Sequence, residues 1–233
     1  MKENRFKLFE EYIGVTFHNK AVLREAFTHR SYINEIHERG LSHNERLEFL
    51  GDAVVELSST DFLYKKYPNA TEGDLTNYRA ALVNAVTLGN IAIDIGMENY
   101  LLLSKGEAKD KGTKAREIIL ANAFEALVGA IYLDQGYGTA DTFLKKNLLG
   151  KTDEIVKKGL WRDAKSFFQE EAQDAVGITP AYKVMREIGP DHDKQFVVGV
   201  YLDKELVAEG TGKSKQEAEQ NAAGEGLKVK GWK

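Results

Sequence analysis

The chain has 233 residues, 42% of them hydrophobic and 29% charged, a composition typical of a globular protein with one or two domains. It contains no cysteine, which excludes disulfides, thiolate metal sites and thiol catalysis. The net charge of -4 gives no chain-wide attraction to polyanions, and no apolar run reaches the roughly 20 residues of a membrane-spanning helix. The first residues lack the apolar core of a signal peptide, so we expect a cytoplasmic protein.

Residues 1–150 predict an all-α domain, because apolar residues recur there at helical spacing. The helical stretches read LFEEYIG, AVLREAFTHRSYI, NERLEFLGDAVVELSSTDFLYKKY, GDLTNYRAALVNAVTLGNIAIDIG and REIILANAFEALVGAIYLDQG. Thr71 and Asp74 have the spacing of a capping box and predict a helix start after Pro68. No convincing strand is expected in this part of the chain.

The pattern changes after Gly150. Residues 151–160 are polar and predict a linker, and residues 161–233 predict a small α+β domain. There an amphipathic helix, AKSFFQEEAQDAVG, precedes three alternating stretches, AYKVMREIG, KQFVVGVYLD and ELVAEGTG. A closing helix with Ser214 as its N-cap completes the order helix, three strands, helix.

The stretch NERLEFLGDAVVE places Glu45, Glu48 and Asp52 on one face of a helix, since they are three and four residues apart. The rest of the stretch is mostly apolar, so these carboxylates are expected near a core, where unpaired charges are costly. In a second apolar stretch, Asn122 and Glu125 share a helical face. The sequence therefore predicts two helices that both present side-chain oxygens.

Two interpretations account for these oxygens. With Glu72 at another helix start, they could converge on a hard cation such as Mg²⁺ or Mn²⁺, which activates water and stabilises charge on a phosphate. Alternatively, Arg46, Arg79 and Arg116 form ordinary salt bridges with them. A dinuclear iron or manganese bundle would use Glu-x-x-His pairs, and the sequence has none.

As a whole motif, NERLEFLGDAV resembles the signature of the ribonuclease III family. The neighbouring motifs also follow the family's order, with EAFTHRSY before it and EGDLTNYRAALV, SKGE and ILANAFEALVGAIYLDQGY after it. In the second domain, DAKSFFQE, PAYKV, GPDHDKQF and GTGKSKQEAEQNAA resemble the double-stranded RNA-binding domain of bacterial members. The resemblance covers nearly the entire chain.

The resemblance implies a homodimeric, Mg²⁺-dependent endonuclease that cleaves double-stranded RNA, with Mn²⁺ as a substitute metal. Its products would carry 5′-phosphates and short 3′ overhangs, and its usual substrates would be ribosomal RNA precursors and messenger duplexes. Metal-activated water would attack the phosphate, so no side-chain nucleophile is implied. Neither a membrane nor a small-molecule cofactor is implied.

The resemblance also implies roles for individual residues. Glu48, Asp52, Asn122 and Glu125 correspond to metal ligands, and Asp52 and Glu125 are also implied in catalysis. Two further carboxylates are implied to line the same valley, as ligand-positioning or RNA-contacting groups: Glu45 and Glu72. Phe49 is implied to insert into a socket on the partner subunit, although its pattern alone would predict an ordinary core aromatic.

RNA contacts are implied for three segments of the second domain, which would read 2′-hydroxyls and phosphates of A-form RNA. The residues concerned are Gln169 and Gln173 on the first helix, His192 in the loop after the first strand, and Lys213, Ser214 and Lys215 at the start of the closing helix. Composition alone would predict solvated polar residues at these positions. From residue 159 onward the sequence has 11 Lys and Arg and 13 Asp and Glu. We therefore expect this domain to bind RNA modestly and in a salt-sensitive way.

In the first domain, a basic run precedes the second acidic stretch. It contacts the RNA backbone or is simply a solvated loop, and it consists of Lys105, Lys109, Lys111 and Lys114.

One position departs from the family pattern. The usual Ala-Asp-x-x-Glu reads ANAFE here, with Asn122 in place of the aspartate. An amide keeps one oxygen but loses the charge, so it should hold Mg²⁺ more weakly. Three explanations remain: an engineered substitution that allows binding without cleavage, a natural member with altered activity, or a natural RNA-binding protein that does not cleave. The first is favoured because the other acidic residues are intact.

Overall fold

The computed structural model of this chain describes residues 6–36, 40–157, 164–190 and 194–232. It divides into two compact units, residues 1–161 and 162–233. Each unit has its own hydrophobic core. Among the described residues, no helix combines the length and the apolar character that a bilayer crossing requires.

The first unit is helical, as the sequence predicts. Its described α-helices are α1 (Lys7–Ile13), α2 (Lys20–Ala26), α3 (Arg30–Ile36), α4 (Glu45–Lys66), α5 (Glu72–Leu82), α6 (Ala85–Asp94), α7 (Lys114–Gln135), α8 (Tyr137–Asn147) and α9 (Thr152–Lys157). The capping box of Thr71 and Asp74 at the start of α5 is confirmed. Within the described ranges of this unit, the extended structure is an isolated bridge between Thr28 and Leu102.

The helix boundaries differ from the predicted stretches in two places. The stretch AVLREAFTHRSYI divides into α2 and α3, and GDLTNYRAALVNAVTLGNIAIDIG divides into α5 and α6. The second division occurs because Asn84 accepts a hydrogen bond from the Thr87 N–H and caps α6.

The described part of the predicted linker, residues 151–157, is helical. Helix α8 is not among the predicted helices, since its buried residues form only a short apolar pattern.

Helices α4 and α7, each 22 residues long, cross closely in the first unit. Two glycines allow this crossing. A Cβ atom on Gly51 would lie 1.7 Å from the carbonyl oxygen of Glu125, and one on Gly129 would lie 2.3 Å from that of Leu47. Such distances are far inside van der Waals contact, so a side chain at either position would push the helices apart. The crossing places Glu125 next to the helix segment that carries Asp52.

The start of α4 is held by buried hydrogen bonds. The side-chain amide of the buried Asn44 donates to the carbonyl of Ala26 (3.2 Å), and the Asn44 backbone N–H donates to the carbonyl of Thr28 (2.9 Å). The Thr28 hydroxyl in turn donates to the carbonyl of Arg24 (2.7 Å). These bonds fix where the acidic face of α4 begins.

The second unit has the predicted order of helix, three strands, helix. Its elements are α10 (Ala164–Val176), β1 (Ala181–Ile188), β2 (Gln195–Leu202), β3 (Glu205–Gly212) and α11 (Lys215–Lys230). The strands form an antiparallel sheet in the order β1-β2-β3. Gly210 lets α11 approach the sheet, since a Cβ there would lie 2.1 Å from the backbone nitrogen of Ala222. Ser214 caps α11 as predicted, by accepting from the Glu217 N–H (3.2 Å).

Candidate functional site

One face of α4 carries a row of four carboxylates in successive turns, at Glu45, Glu48, Asp52 and Glu56. The first three are predicted site residues, and Glu56 is not. The signal for Glu56 is present in the sequence, because it follows Asp52 by four residues and therefore continues the same face.

Glu125 on α7 lies beside this row. Burial raises the pKa of Glu125 to about 8, and the negative charges of Asp52, Glu48 and Glu56 contribute to the rise. The structure therefore brings Glu48, Asp52 and Glu125 into one electrostatic group, which we call the central carboxylates.

Asn122 also belongs to this group, because its side chain makes a hydrogen bond to Glu48. Burial is the largest cause of the raised pKa of Glu48, and the charges of Glu45 and Asp52 raise it further. The hydrogen bond from Asn122 acts in the opposite direction and lowers this pKa. The amide of an asparagine can donate a hydrogen bond to a carboxylate, whereas an ionised aspartate can only accept one. Asn122 thus supplies part of the hydrogen bonding that the Glu48 carboxylate requires.

Arginines reach the two ends of the row. Arg30 Nη1 lies 3.6 Å from Glu45 Oε1, and Arg79 Nε lies 2.9 Å from Glu56 Oε2. No ion pair with any of the central carboxylates is found in the described part of the chain. The salt-bridge interpretation therefore does not hold for the centre of the site, although it holds for its ends.

The side chains at the centre fit a hard divalent cation in chemistry and charge. Three carboxylates and one amide supply the oxygens that Mg²⁺ prefers, and the raised pKa of Glu125 reflects their unbalanced charge. As they stand, no three His, Asp or Glu side chains among the described residues are arranged to hold a metal ion. The side chains would have to turn toward a bound cation, and Asn122 would have to give up its bond to Glu48.

Glu72 does not belong to this group. It is the exposed first residue of α5, and its carboxylate accepts from the Thr76 hydroxyl (3.2 Å). Glu72 lines a groove of about 210 Å³ between α4 and α5, together with Arg79 and Tyr64. Glu45 and this groove therefore lie toward opposite ends of α4.

Phe49 points into solvent, with 82% of its surface exposed. The prediction from its pattern alone, an ordinary core aromatic, is wrong. A groove of about 610 Å³ lies beside it and includes the apolar side chains of Val22, Leu50 and Leu133. An exposed aromatic next to an apolar groove is typical of an interface.

The basic run lies on the exposed segment that precedes α7 and on the first residue of that helix. Its lysines are all exposed: Lys105, Lys109, Lys111 and Lys114. The buried Arg116 holds the loop by donating to the backbone carbonyls of Glu107 and Asp110. Arg116 is therefore not a partner of the acidic group but a support for the loop.

In the second unit, Gln169 and Gln173 are exposed on one face of α10. They line a shallow groove of about 530 Å³ that also contains Glu170 and Asp174. The other predicted RNA contacts in the described ranges lie at the exposed start of α11: Lys213, Ser214 and Lys215. His192 lies outside the described residues.

Comparison with known proteins decides between the classes of protein that such a site allows. Residues 19–152, more than half of the chain, match the family model described as Ribonuclease-III-like. The chain belongs to the ribonuclease III family. Residues 164–230 match the Double-stranded RNA binding motif. The protein is therefore an endoribonuclease of this family, with an all-α nuclease domain followed by an α-β-β-β-α RNA-binding domain.

Relatives and solved structures agree with this assignment. Ribonuclease 3 of Bacillus licheniformis is 46% identical over 227 residues, covering 97% of this chain and 90% of the relative. Ribonuclease 3 of Borreliella burgdorferi is 43% identical and covers 98% and 92%, respectively. The nuclease domain of Campylobacter jejuni ribonuclease III superposes with a TM-score of 0.55 at 36% identity, covering 61% of this chain and 98% of that domain.

Proposed function

We propose that this ribonuclease III family member hydrolyses double-stranded RNA with the help of Mg²⁺, for which Mn²⁺ substitutes. Glu48, Asp52 and Glu125 would hold the cation, with Asn122 as a weak additional ligand. The observation that carries the proposal is the unbalanced negative charge of the central carboxylates where α4 meets α7. When bound, the cation would supply an activated water and offset charge on the phosphate.

The protein's own side chains divide the remaining work. Glu48 and Glu125 are half-buried where the two helices cross, whereas Asp52 is exposed and would be the carboxylate most accessible to water and RNA. Without a counter-charge, the row of carboxylates repels the RNA phosphate. Asp52 and Glu125 are proposed as the catalytic carboxylates, and Glu45 and Glu72 as residues that position ligands or contact RNA.

The second domain would carry the duplex. Gln169 and Gln173 are proposed to meet 2′-hydroxyls in a minor groove, and His192 to enter the next minor groove. Lys213, Ser214 and Lys215 would contact the phosphates between them, over a footprint of roughly 16 base pairs.

The proposal includes products with 5′-phosphates and short 3′ overhangs, and cytoplasmic processing of ribosomal and messenger RNA. The basic run before α7 would add contacts to the RNA backbone.

The proposed activity is tested by incubating a labelled RNA duplex with the chain in Mg²⁺ and in Mn²⁺. We expect slow, metal-dependent cleavage, and we expect Glu125→Gln to reduce it at least about 100-fold while duplex binding is retained, because binding depends on the second domain. Glu11→Gln, the same chemical change at an exposed position on α1, is expected to leave the rate unaltered. A Glu125→Gln protein that cleaves as fast as its parent would contradict the assigned role.

A second candidate function is double-stranded RNA binding without cleavage. It is favoured by one observation, the bond between Asn122 and Glu48, which ties up a carboxylate in the absence of metal. It would replace the first proposal if the chain and its Asn122→Asp variant both bound the duplex and neither cleaved it.

We also propose that the active form is a homodimer, with Phe49 of each subunit inserted into the groove beside the partner's Phe49. The solved Campylobacter jejuni nuclease domain is described with a region involved in dimer formation. Phe49→Ala is expected to weaken the dimer at least about 100-fold, because buried aromatic anchors dominate interface energies. Sedimentation of the variant at micromolar concentration measures the effect, with the exposed Val86→Ala on α6 as the control. Unchanged sedimentation of Phe49→Ala would exclude this interface.

A further inference from the structure

The acidic face of α4 extends one turn beyond the central carboxylates to Glu56. Glu56 is half-buried, with 38% of its side chain exposed, and it follows Asp52 by four residues, which places it one turn further along the same face of α4. It is the fourth carboxylate of the row and the one that the family motif does not include. Its charge must therefore be balanced locally or added to that of the central carboxylates.

Arg79 balances that charge from a neighbouring helix. Its Nε lies 2.9 Å from Glu56 Oε2, and its Nη1 donates to the Thr60 hydroxyl at 2.9 Å. Both contacts are to α4 and are one turn apart, so the guanidinium lies along that helix. Two bonds in different directions fix the guanidinium much more firmly than a single exposed ion pair would.

Arg79 also joins the site to the helix that begins with Glu72. The two residues are seven positions apart on one face of α5, and both line the groove between α4 and α5. Thr76 lies between them and donates to Glu72. The pair of Arg79 and Glu56 therefore connects the acidic face of α4 to α5, the helix that begins with Glu72.

We propose that Arg79 is a positioning residue that, by pairing with Glu56 and bonding Thr60, withholds one negative charge from the central carboxylates and so sets how tightly they bind a divalent cation. This inference rests on the proposed metal-dependent function. Removal of Arg79 leaves the charge of Glu56 uncompensated, so the net charge near the cation becomes more negative by one unit and its attraction to the site increases. Removal of Glu56 has the opposite effect, because it leaves an unpaired arginine.

The prediction is therefore an order of Mn²⁺ affinities among the variants. Each affinity is measured on the full-length, metal-free chain by titrating Mn²⁺ and following the electron paramagnetic resonance signal of the free ion. Arg79→Met is expected to bind Mn²⁺ about three- to tenfold more tightly than the parent, and Glu56→Gln about three- to tenfold more weakly. The double variant is expected within about twofold of the parent, since both charges are gone. The same order is expected for the Mg²⁺ concentration that gives half-maximal cleavage in the Asn122→Asp background.

Lys65→Met is the matched control. Lys65 also pairs with a carboxylate on α4, Asp61, at 2.7 Å. It follows Asp52 by 13 residues, about 20 Å along the helix axis, which exceeds the screening length of about 8 Å at physiological salt. Its removal is expected to change Mn²⁺ affinity less than twofold, because screened charges at this distance interact weakly.

Three results would overturn the inference, and each is distinct. Weaker Mn²⁺ binding by Arg79→Met, without recovery in the double variant, would indicate that Arg79 only supports the fold. A raised KM for RNA at saturating metal, also without recovery, would make Arg79 an RNA contact instead. Absence of Mn²⁺ binding in every variant and in Asn122→Asp would remove the proposed metal function itself, and the inference with it.

Discussion

An Asn122→Asp variant is expected to cleave double-stranded RNA about 100-fold faster than the parent chain in Mg²⁺, a gain equivalent to about 2.7 kcal/mol of transition-state stabilisation. The substitution restores an anionic oxygen to the group formed by Glu48, Asp52 and Glu125. It also removes the amide that donates to Glu48 and therefore frees that carboxylate for a cation. The measurement is the single-turnover rate on a labelled duplex across a range of Mg²⁺ concentrations.

The same substitution is expected to destabilise the metal-free protein. The bond between Asn122 and Glu48 would be lost, and a further negative charge would join a group that already lacks a counter-charge. A decrease of about 1–3 kcal/mol in the free energy of unfolding is expected in a chelator, because the lost hydrogen bond and the added repulsion act together. Mg²⁺ should restore the melting temperature of the variant more than that of the parent.

Asn90→Asp controls for the change in net charge, since Asn90 is exposed on α6. It should alter neither cleavage nor the response of the melting temperature to Mg²⁺. Equal cleavage rates for the parent and for Asn122→Asp would show that an amide suffices as a ligand, and the explanation of the chain as a disabled nuclease would fail.

Gly51→Ala is expected to destabilise the nuclease domain by about 3–5 kcal/mol, although it adds a single methyl group. The new Cβ would lie 1.7 Å from the carbonyl oxygen of Glu125, which belongs to a helix backbone and cannot turn aside. Helices α4 and α7 would separate, and the central carboxylates would separate with them. The expected decrease in melting temperature is about 10 °C for a domain of this size. Thermal unfolding followed by circular dichroism measures it.

Gly138→Ala makes the same chemical change on α8, where the added Cβ would meet no atom within 4 Å apart from its chain neighbours and its own helix backbone. Because alanine favours helices by up to about 1 kcal/mol relative to glycine, this variant should be as stable as the parent or slightly more stable. If both alanine variants melted alike, the close crossing of α4 and α7 would not be a requirement of the fold.

The sequence by itself determined the order of the elements and the residue types of the site. Periodicity and capping are local properties, so α4, α7, the three strands and the helix starts at Thr71 and Ser214 could be read from neighbouring residues. The same local spacing put Glu45, Glu48 and Asp52 on one face. Local patterns were weaker where α8 has few buried residues and where Asn84 divides a continuous apolar stretch.

Only the tertiary structure decided how the charges are partnered. Which arginine meets which carboxylate depends on where helices cross, and sequence spacing does not contain that information. Arg79 pairs with Glu56, and Arg116 supports a loop, although the sequence offered both as partners for the central carboxylates. The exposure of Phe49 likewise contradicts its pattern, because an apolar residue on a helix faces a core or a partner according to what packs against it.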